Sequence, residues 1–310
     1  MKSLKIIDAD ISVPAVGAGC MRICNLPDDR AVACWVDGLM EQGVNFFDHA
    51  DIYGRKSPRG YCEKIFGDYL AAHPGSRDRM IIQTKCGIRE GFYDFSREHI
   101  LQSVEESLKR LRTDWIDILL LHRPDALVEP EEVAAAFEQL YRGGKVRAFG
   151  VSNHSAAQLE LLRSRLTVPL VINQLQFGPA HTLIIDSGLN VNNRTSAGTL
   201  YADGILEYCR LHNLLIQAWS PLAFGLFEGI FPADNRYREL NETLARIGAR
   251  HRLAPLGCTV AWISRHPAGI QTLLGSTRTE RFAEAVAGTE VRLSREEWYE
   301  IYRAAGNRLP

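Results

Sequence analysis

Eight short apolar runs recur along this chain of 310 residues, and each is followed by a stretch with helix-like patterning. Several runs carry their apolar residues consecutively, as strands covered on both faces of a parallel sheet do. Strands that alternate with helices, without a Pro/Ser-rich linker, predict one α/β domain over 1–310, closed into a (β/α)8 TIM barrel. A doubly wound sheet is the runner-up. The runs are 15–19, 44–50, 80–85, 115–122, 146–153, 170–174, 214–220 and 269–276.

The segments between the runs carry helical periodicity and helix-end signals. Ser96 is a candidate N-cap, and the residues after it place apolar side chains on one helical face: Ile100, Leu101, Val104, Leu108 and Leu111. Gly143 is a stop signal for the next amphipathic segment. Two segments lie outside the repeat. Residues 1–14 alternate like a short β-hairpin, and 177–206 after the sixth run are long for a strand-to-helix connection, as lids and binding loops are.

Composition excludes several classes of function. Lys and Arg together number 36 against 37 for Asp and Glu, which argues against nucleic acid or an anionic membrane as a partner. The seven cysteines are scattered without metal-ligand spacing, so neither a disulfide scaffold nor a metal site is expected. No segment reaches the roughly 18 uninterrupted apolar residues of a membrane span. The chain is therefore expected to be soluble and cytoplasmic.

Chemistry-bearing residues stand where the early runs end. The second run ends in Asp48, with Tyr53 in the loop that follows, the third ends in Lys85, and the fourth ends in His122. The carboxyl ends of barrel strands are where active sites form. If these side chains converge, the Lys85 ammonium lowers the pKa of Tyr53, and Asp48 keeps that ammonium charged. A neutral His122 would orient a carbonyl oxygen, so the set could protonate a carbonyl while another group delivers hydride.

The chain resembles the aldo-keto reductases, a family of (β/α)8 oxidoreductases that use NADP(H) without a Rossmann domain. The resemblance covers essentially the whole chain and is carried by "GVNFFDHADIYG", "IIQTKCG", "DILLLHRPD", "VRAFGVSN", "VINQLQF", "QAWSPL" and "LLGSTRTER". It implies that Tyr53 is the general acid and base, that Lys85 and Asp48 are its electrostatic supports, and that His122 orients the carbonyl. The implied reaction is NADPH-dependent reduction of aldehydes or ketones.

The resemblance also implies an NADP(H) site built from the ends of the later runs. Ser152, Asn153 and Gln174 would hold the nicotinamide carboxamide, and Trp219, which replaces a tyrosine common in the family, would face the ring. The remaining implied cofactor positions are Gly19, Met21, Asp48, Ser220, Leu222, Gly225, Gly275, Ser276, Arg278 and Arg281.

The last run is followed by "GSTRTER", where a helix is expected to begin at about Thr279 and to favour an anion at its N-terminus. The guanidinium groups of Arg278 and Arg281 suit a phosphate better than a ribose hydroxyl, which predicts a preference for NADPH over NADH. Two departures from the family make that preference smaller than usual. Gly275 replaces a lysine, and Ala285 replaces an adenine-contacting asparagine.

The substrate pocket is predicted to include Arg22, Phe92 and Tyr93. A mostly apolar rim suits aldehydes or ketones with apolar or aromatic bodies, and Arg22 leaves room for an anionic group. His49 and Asp51 are interpreted as structural.

Two other functions compete with carbonyl reduction. A class I aldolase could use Lys85 as a Schiff base, although Asp48 favours the charged lysine and so opposes nucleophilic attack. A non-catalytic NADP-sensing module, like the reductase-like beta subunits of potassium channels, would need a membrane partner, and nothing in the composition indicates one. Metal-dependent barrel hydrolases are weaker still, because no His-x-His pair ends a run.

Overall fold

The computed structural model describes residues 1–54, 59–190, 204–225 and 228–309. Eight parallel strands form a closed barrel in the order β10-β3-β4-β5-β6-β7-β8-β9, which confirms the predicted (β/α)8 architecture. Each predicted run coincides with one barrel strand, although β5 and β8 extend one and two residues past the ends of their runs. The strands are β3 (Val16–Gly19), β4 (Phe46–Asp48), β5 (Ile81–Cys86), β6 (Ile116–Leu121), β7 (Val146–Ser152), β8 (Leu170–Gln176), β9 (Leu215–Trp219) and β10 (Gln271–Leu274).

The predicted N-terminal hairpin is also present. Strands β1 (Ser3–Ile6) and β2 (Ile11–Pro14) pair antiparallel outside the barrel sheet. Their side chains Ile6 and Val13 are buried in one apolar cluster with barrel residues such as Phe46 and Ile118. Because Pro14 leads directly into β3, the hairpin packs at the amino-terminal end of the barrel and leaves the opposite end open for a site.

Helices surround the barrel and cover its outer face with a second, larger apolar cluster. The Ser96 side chain accepts a hydrogen bond from the His99 N–H, so it is the predicted N-cap, and α4 ends at Gly143 as predicted. Of the predicted apolar face after Ser96, Leu101 alone is only partly buried. The helices are α1 (Asp29–Glu41), α2 (Tyr61–Ala72), α3 (Arg97–Leu111), α4 (Pro130–Arg142), α5 (Ala156–Arg163), α6 (Leu183–Leu189), α7 (Ile205–Leu211), α8 (Arg238–Arg250), α9 (Pro255–Ser264), α10 (Thr279–Thr289) and α11 (Arg295–Ala304).

The long connection after β8 has helical structure of its own. It contains α6, and the Tyr302 hydroxyl of α11 donates a hydrogen bond of 2.8 Å to Asp186 of that helix. Residues 191–203 lie outside the described part of the chain. The expectation that this connection covers the cofactor or shapes the pocket therefore stays a prediction. Within the described ranges, no helix is long and apolar enough to cross a membrane.

Candidate active site

The four predicted catalytic residues lie together at the carboxyl ends of three neighbouring strands. Asp48 is the last residue of β4, Lys85 is in β5, and His122 follows β6 directly. Tyr53 comes from the loop after β4, and its ring centroid is 6.1 Å from that of His122. Parallel pairing of β4 with β5 and of β5 with β6 brings these strand ends to one edge. The barrel therefore assembles the set that the strand-end positions predicted.

Lys85 is the centre of this cluster. Its side chain is fully buried, and its Nζ lies 2.7 Å from each oxygen of Asp48, 2.8 Å from the carbonyl of His49 and 3.3 Å from the Tyr53 hydroxyl. Burial by itself lowers the pKa of Lys85, but the Asp48 carboxylate and the Tyr53 hydroxyl outweigh it, so the pKa is raised. The ammonium form is thus held at neutral pH, which opposes a Schiff-base role.

Tyr53 experiences two opposing effects. Burial raises the pKa of its phenol, and the Lys85 ammonium lowers it. Lys85 thus acts in the predicted direction, but burial outweighs it, and the net pKa of Tyr53 is above the ordinary value. Tyr53 is therefore protonated at neutral pH with a cation beside its oxygen, which suits a proton donor.

His122 is held in the neutral form. Burial lowers its pKa well below the ordinary value, and the positive charges of Lys85, Arg123 and Arg59 lower it further. Its Nδ1 is buried and has no hydrogen-bond partner in the described ranges. A neutral imidazole still carries one N–H, and this group can donate a hydrogen bond to a carbonyl oxygen.

A layer of buried amides inside the barrel supports Asp48. The side-chain amide of Gln83 donates to Asp48 Oδ1 at 2.6 Å, and that of Gln174 donates to the same oxygen at 3.2 Å. Gln83 and Gln217 exchange two hydrogen bonds, and Gln217 also accepts from Gln174 and donates to Gln271. Each of these side chains is almost completely removed from solvent. The carboxylate is therefore oriented by the barrel interior as well as by Lys85.

Sequence reasoning did not identify this amide layer, although a signal was present. Gln83, Gln217 and Gln271 each interrupt an otherwise apolar run, in "IIQTK", "LLIQAW" and "GIQTLL". A polar side chain within a strand buried on both faces needs a partner, because an unpaired amide in the interior is costly. Several buried amides of this kind are therefore expected to form hydrogen bonds with one another.

Gln217→Leu is expected to lower the free energy of unfolding by about 1–3 kcal/mol, because amides that bond to Gln217 lose a buried partner. Urea-induced unfolding followed by tryptophan fluorescence measures the change. Gln102→Leu on the exposed face of α3 is the matched control, with an expected change of about 0.5 kcal/mol or less. Wild-type stability in Gln217→Leu would contradict a stabilising role for the layer.

The residues predicted to hold the carboxamide form a connected group at the ends of β7, β8 and β9. Ser152 Oγ donates to the backbone carbonyl of Gln174 at 3.0 Å. Asn153 has a left-handed backbone with φ of 61°, donates to Ser152 Oγ at 2.7 Å and accepts from the Trp219 indole at 3.1 Å. The indole plane is thus held by Asn153. Binding of a carboxamide by this group stays a prediction.

The other predicted cofactor positions surround the same end of the barrel. Ser220 and Gly225 both have positive φ, and the Gly225 carbonyl accepts from Gln176 at 2.9 Å. Leu222 lies between them and is partly buried, whereas residues 226–227 are outside the described ranges. On the opposite side of β10, the carboxyl ends of β3 and β10 approach closely. A Cβ added to Gly19 would lie 3.6 Å from the Gly275 Cα.

The segment that leads into α10 has the predicted form. The helix begins at Thr279, and the Ser276 Oγ accepts from the backbone N–H of Arg278 at 3.2 Å. No side chain caps the helix N-terminus. Arg278 is exposed and Arg281 is half-buried.

The predicted pocket residues are less enclosed. Arg22 donates to the Gly275 carbonyl at 2.9 Å, so its guanidinium is anchored at the end of β10, and the adjacent Met21 is partly buried. Phe92 and Tyr93, between β5 and α3, are 55% and 45% exposed. These exposures place the two aromatic rings at a rim. Their contact with a substrate stays a prediction.

His49 and Asp51 have the properties of structural residues. The His49 ring is fully buried with its centroid 4.7 Å from that of Phe66, and burial together with the Lys85 charge lowers its pKa to about 3. Burial raises the pKa of Asp51 to about 7, against the opposing charge of Arg59, whose guanidinium lies 3.8 Å away.

The fold and the site together define a barrel enzyme in which a tyrosine, supported by a buried Lys–Asp pair, can donate a proton beside a neutral histidine. The sequence model of the Aldo/keto reductase family matches residues 15–305. The chain belongs to this family, and the resemblance drawn from its motifs is confirmed.

Known proteins similar to this chain include two curated relatives and one solved structure. An uncharacterized oxidoreductase, YcsN, of Bacillus subtilis is 39% identical over 89% of this chain and 88% of its own length. A 6-dehydroglucose reductase of Novosphingobium aromaticivorans is 34% identical over 97% of this chain and 94% of its own. The crystal structure of the thermostable aldo-keto reductase Tm1743 with the inhibitor epalrestat has a TM-score of 0.77 at 24% identity, over 98% of this chain and 100% of its own. The family and the two curated relatives support carbonyl reduction as the general reaction, and the solved structure supports the fold.

Proposed function

We propose that the protein reduces aldehydes or ketones to alcohols with NADPH, and that Tyr53 is the general acid. The observation that carries the proposal is the position of the Tyr53 hydroxyl, 3.3 Å from the Nζ of a lysine that bonds both oxygens of Asp48. The Lys85 ammonium does not need the Tyr53 phenol for its own stability, because the Asp48 carboxylate already neutralises its charge. The cation does, however, stabilise the phenolate that forms when the proton leaves.

The residues divide the reaction between them. A bound nicotinamide supplies the hydride. Tyr53 donates its proton to the carbonyl oxygen as negative charge develops there, and Lys85 stabilises the resulting phenolate. Neutral His122 donates a hydrogen bond to the same oxygen and orients it. Asp48 keeps Lys85 charged. General acid catalysis of this kind typically contributes about 10²–10⁴-fold to the rate.

The start of α10 fits the 2′-phosphate of NADPH. Its first backbone N–H groups have no side-chain cap, and the helix dipole there favours an anion. The side chains of Arg278 and Arg281 form no ion pair with any residue in the described ranges. Two uncommitted guanidinium groups beside an uncapped helix end support a phosphate site, and with it a preference for NADPH.

Arg281→Ala is expected to raise KM for NADPH about tenfold to a hundredfold and to change KM for NADH little, because the lost charge-assisted bonds reach the phosphate alone. Steady-state kinetics with both cofactors measures the two values. Arg303→Ala, on the exposed face of α11, is the matched control. An equal loss with both cofactors, or a wild-type preference for NADH, would show that the phosphate is not bound there.

The proposed function is tested with a panel of aldehydes and ketones, followed by loss of NADPH absorbance. Turnover of at least one simple aldehyde is the expected result. Cofactor binding without turnover of any carbonyl would favour the sensing module instead. Borohydride trapping of a carbonyl substrate on Lys85, absent in Lys85→Met, would favour the aldolase.

A further inference from the structure

Arg123 is a cation at the active site to which the proposed chemistry assigns no contact with substrate or cofactor. It follows His122 directly, at the end of β6, and it is half-buried. Its guanidinium carbon lies 5.6 Å from the centroid of the Trp219 ring at the end of β9. The side chain thus extends across the carboxyl end of the barrel, toward the ring predicted to face the nicotinamide.

Arg123 has no acidic partner in the part of the chain that the structure describes. The nearest acid in sequence, Asp125, accepts hydrogen bonds from the backbone N–H groups of Phe95 and Leu127, so its carboxylate is committed elsewhere. Besides burial, the phenol groups of Tyr93 and Tyr53 are the neighbours that influence the pKa of Arg123, and neither is a carboxylate. The guanidinium is therefore partly desolvated without a counter-charge.

Two other partly buried arginines, Arg77 and Arg110, are paired with acids. Arg77 has an ion pair of 2.8 Å with Asp117, and Arg110 has one of 2.7 Å with Glu63. Removing a cation from water is unfavourable unless an anion and hydrogen bonds compensate. Arg123 lacks the acidic partner that Arg77 and Arg110 have, and a bound anionic ligand would supply it.

The 2′-phosphate of the cofactor is not that ligand. Its proposed site lies at the start of α10, directly after β10. In the closed strand order, three strands on either side separate β10 from β6, the strand that Arg123 follows. The neighbours of Arg123 are instead the groups that would touch the reacting carbonyl, namely His122 and Tyr53.

We propose that Arg123 selects substrates whose carbonyl compound carries an anionic oxygen group, such as a carboxylate. The inference rests on the proposed function and names the substrate class of the same site. With its carbonyl oxygen on Tyr53 and His122, such a substrate places its carboxylate on the planar guanidinium, which bonds both carboxylate oxygens at once.

The test compares two pairs of aldehydes, and the members of each pair are matched in size but differ in charge. Para- and meta-carboxybenzaldehyde carry a carboxylate, and the corresponding formylbenzamides carry a neutral amide in the same place. The wild type is expected to show a kcat/KM for the acids about tenfold to a hundredfold above that for the amides. Arg123→Gln is expected to remove this ratio by lowering kcat/KM for the acids far more than for the amides, whereas Arg123→Lys retains part of it.

Arg246→Gln, which breaks an exposed pair with Glu300 on the outside of the barrel, controls for the change in net charge and is expected to keep the wild-type ratio. Equal kcat/KM for acid and amide in the wild type, or an equal loss for both in Arg123→Gln, would overturn the assignment. So would a preference for neutral glyceraldehyde that Arg123→Gln abolishes, since Arg123 would then bind hydroxyls. A wild type that reduces no aldehyde with either cofactor would overturn the proposed function itself.

Discussion

Tyr53→Phe is expected to reduce kcat for aldehyde reduction by at least about a hundredfold, while the affinity for NADPH stays close to the wild-type value. The substitution removes the one hydroxyl that lies 3.3 Å from Lys85 Nζ and keeps the ring whose edge meets His122. The loss should therefore appear in the chemical step. Steady-state kinetics together with NADPH fluorescence titration separates the two quantities.

The control for this variant is Tyr141→Phe near the end of α4, where the tyrosine is 54% exposed on the outside of the barrel. It loses the same hydroxyl and is expected to keep wild-type kcat. Near-wild-type turnover in Tyr53→Phe would mean that another group donates the proton. A large loss of NADPH affinity in the same variant would mean that Tyr53 holds the cofactor and is not the acid.

The positions of the catalytic residues could be predicted from the sequence because each stands at a strand end. In a parallel barrel all strand ends of one sense meet at one edge, so Asp48, Lys85 and His122 converge once the runs are identified as strands. Tyr53 comes from the loop after the second run, and the family resemblance assigns it the role of the acid. Its distance from Lys85 depends on that loop. The closed strand order, the N-terminal hairpin and the start of α10 at Thr279 follow from the same local patterns.

Register and burial explain what the sequence alone could not supply. Gln174, Gln217 and Gln271 form hydrogen bonds because β8, β9 and β10 pair with these residues at the same level. A shift of one residue would turn each side chain to the other face of its strand. The net pKa of Tyr53 likewise depends on how completely the fold removes the phenol from water. The extent of this burial cannot be obtained by counting the charged residues nearby in the sequence.

Arg123 illustrates a further limit. The motif "HRPD" places an acid two residues after the arginine. In the structure the Asp125 carboxylate caps two backbone N–H groups, at 3.0 Å and 2.9 Å, and leaves the guanidinium without that partner. The difference between a paired and an unpaired cation is thus decided by loop geometry.

Lys85→Met is expected to inactivate the enzyme and to lower the free energy of unfolding by up to about 3 kcal/mol. The activity is lost because the phenolate of Tyr53 loses its cation. The stability is lost because Asp48 stays buried, with only the amides of Gln83 and Gln174 bonded to its carboxylate. The raised pKa of Lys85 means that the pair stabilises the fold at neutral pH and that this contribution is lost as the pH rises through that pKa.

A second substitution separates the two effects. Asp48→Asn in the Lys85→Met background removes the uncompensated charge, so stability measured by urea unfolding should recover, whereas activity should not. Lys109→Met on the exposed side of α3 is the matched control and should change neither quantity. Recovery of turnover in the double variant would show that Lys85 serves the fold alone.

The pH–rate profile tests the electrostatic coupling in any residual activity of Lys85→Met. Reduction requires protonated Tyr53, so its rate is constant at low pH and falls as the pH rises through the pKa of the phenol. The Lys85 charge lowers that pKa, and its removal must therefore move the alkaline limb to higher pH. The same change weakens Tyr53 as an acid, which is why the plateau rate falls while the limb shifts upward. An alkaline limb that stays at its wild-type position would show that Lys85 does not tune the phenol, whatever its effect on the rate.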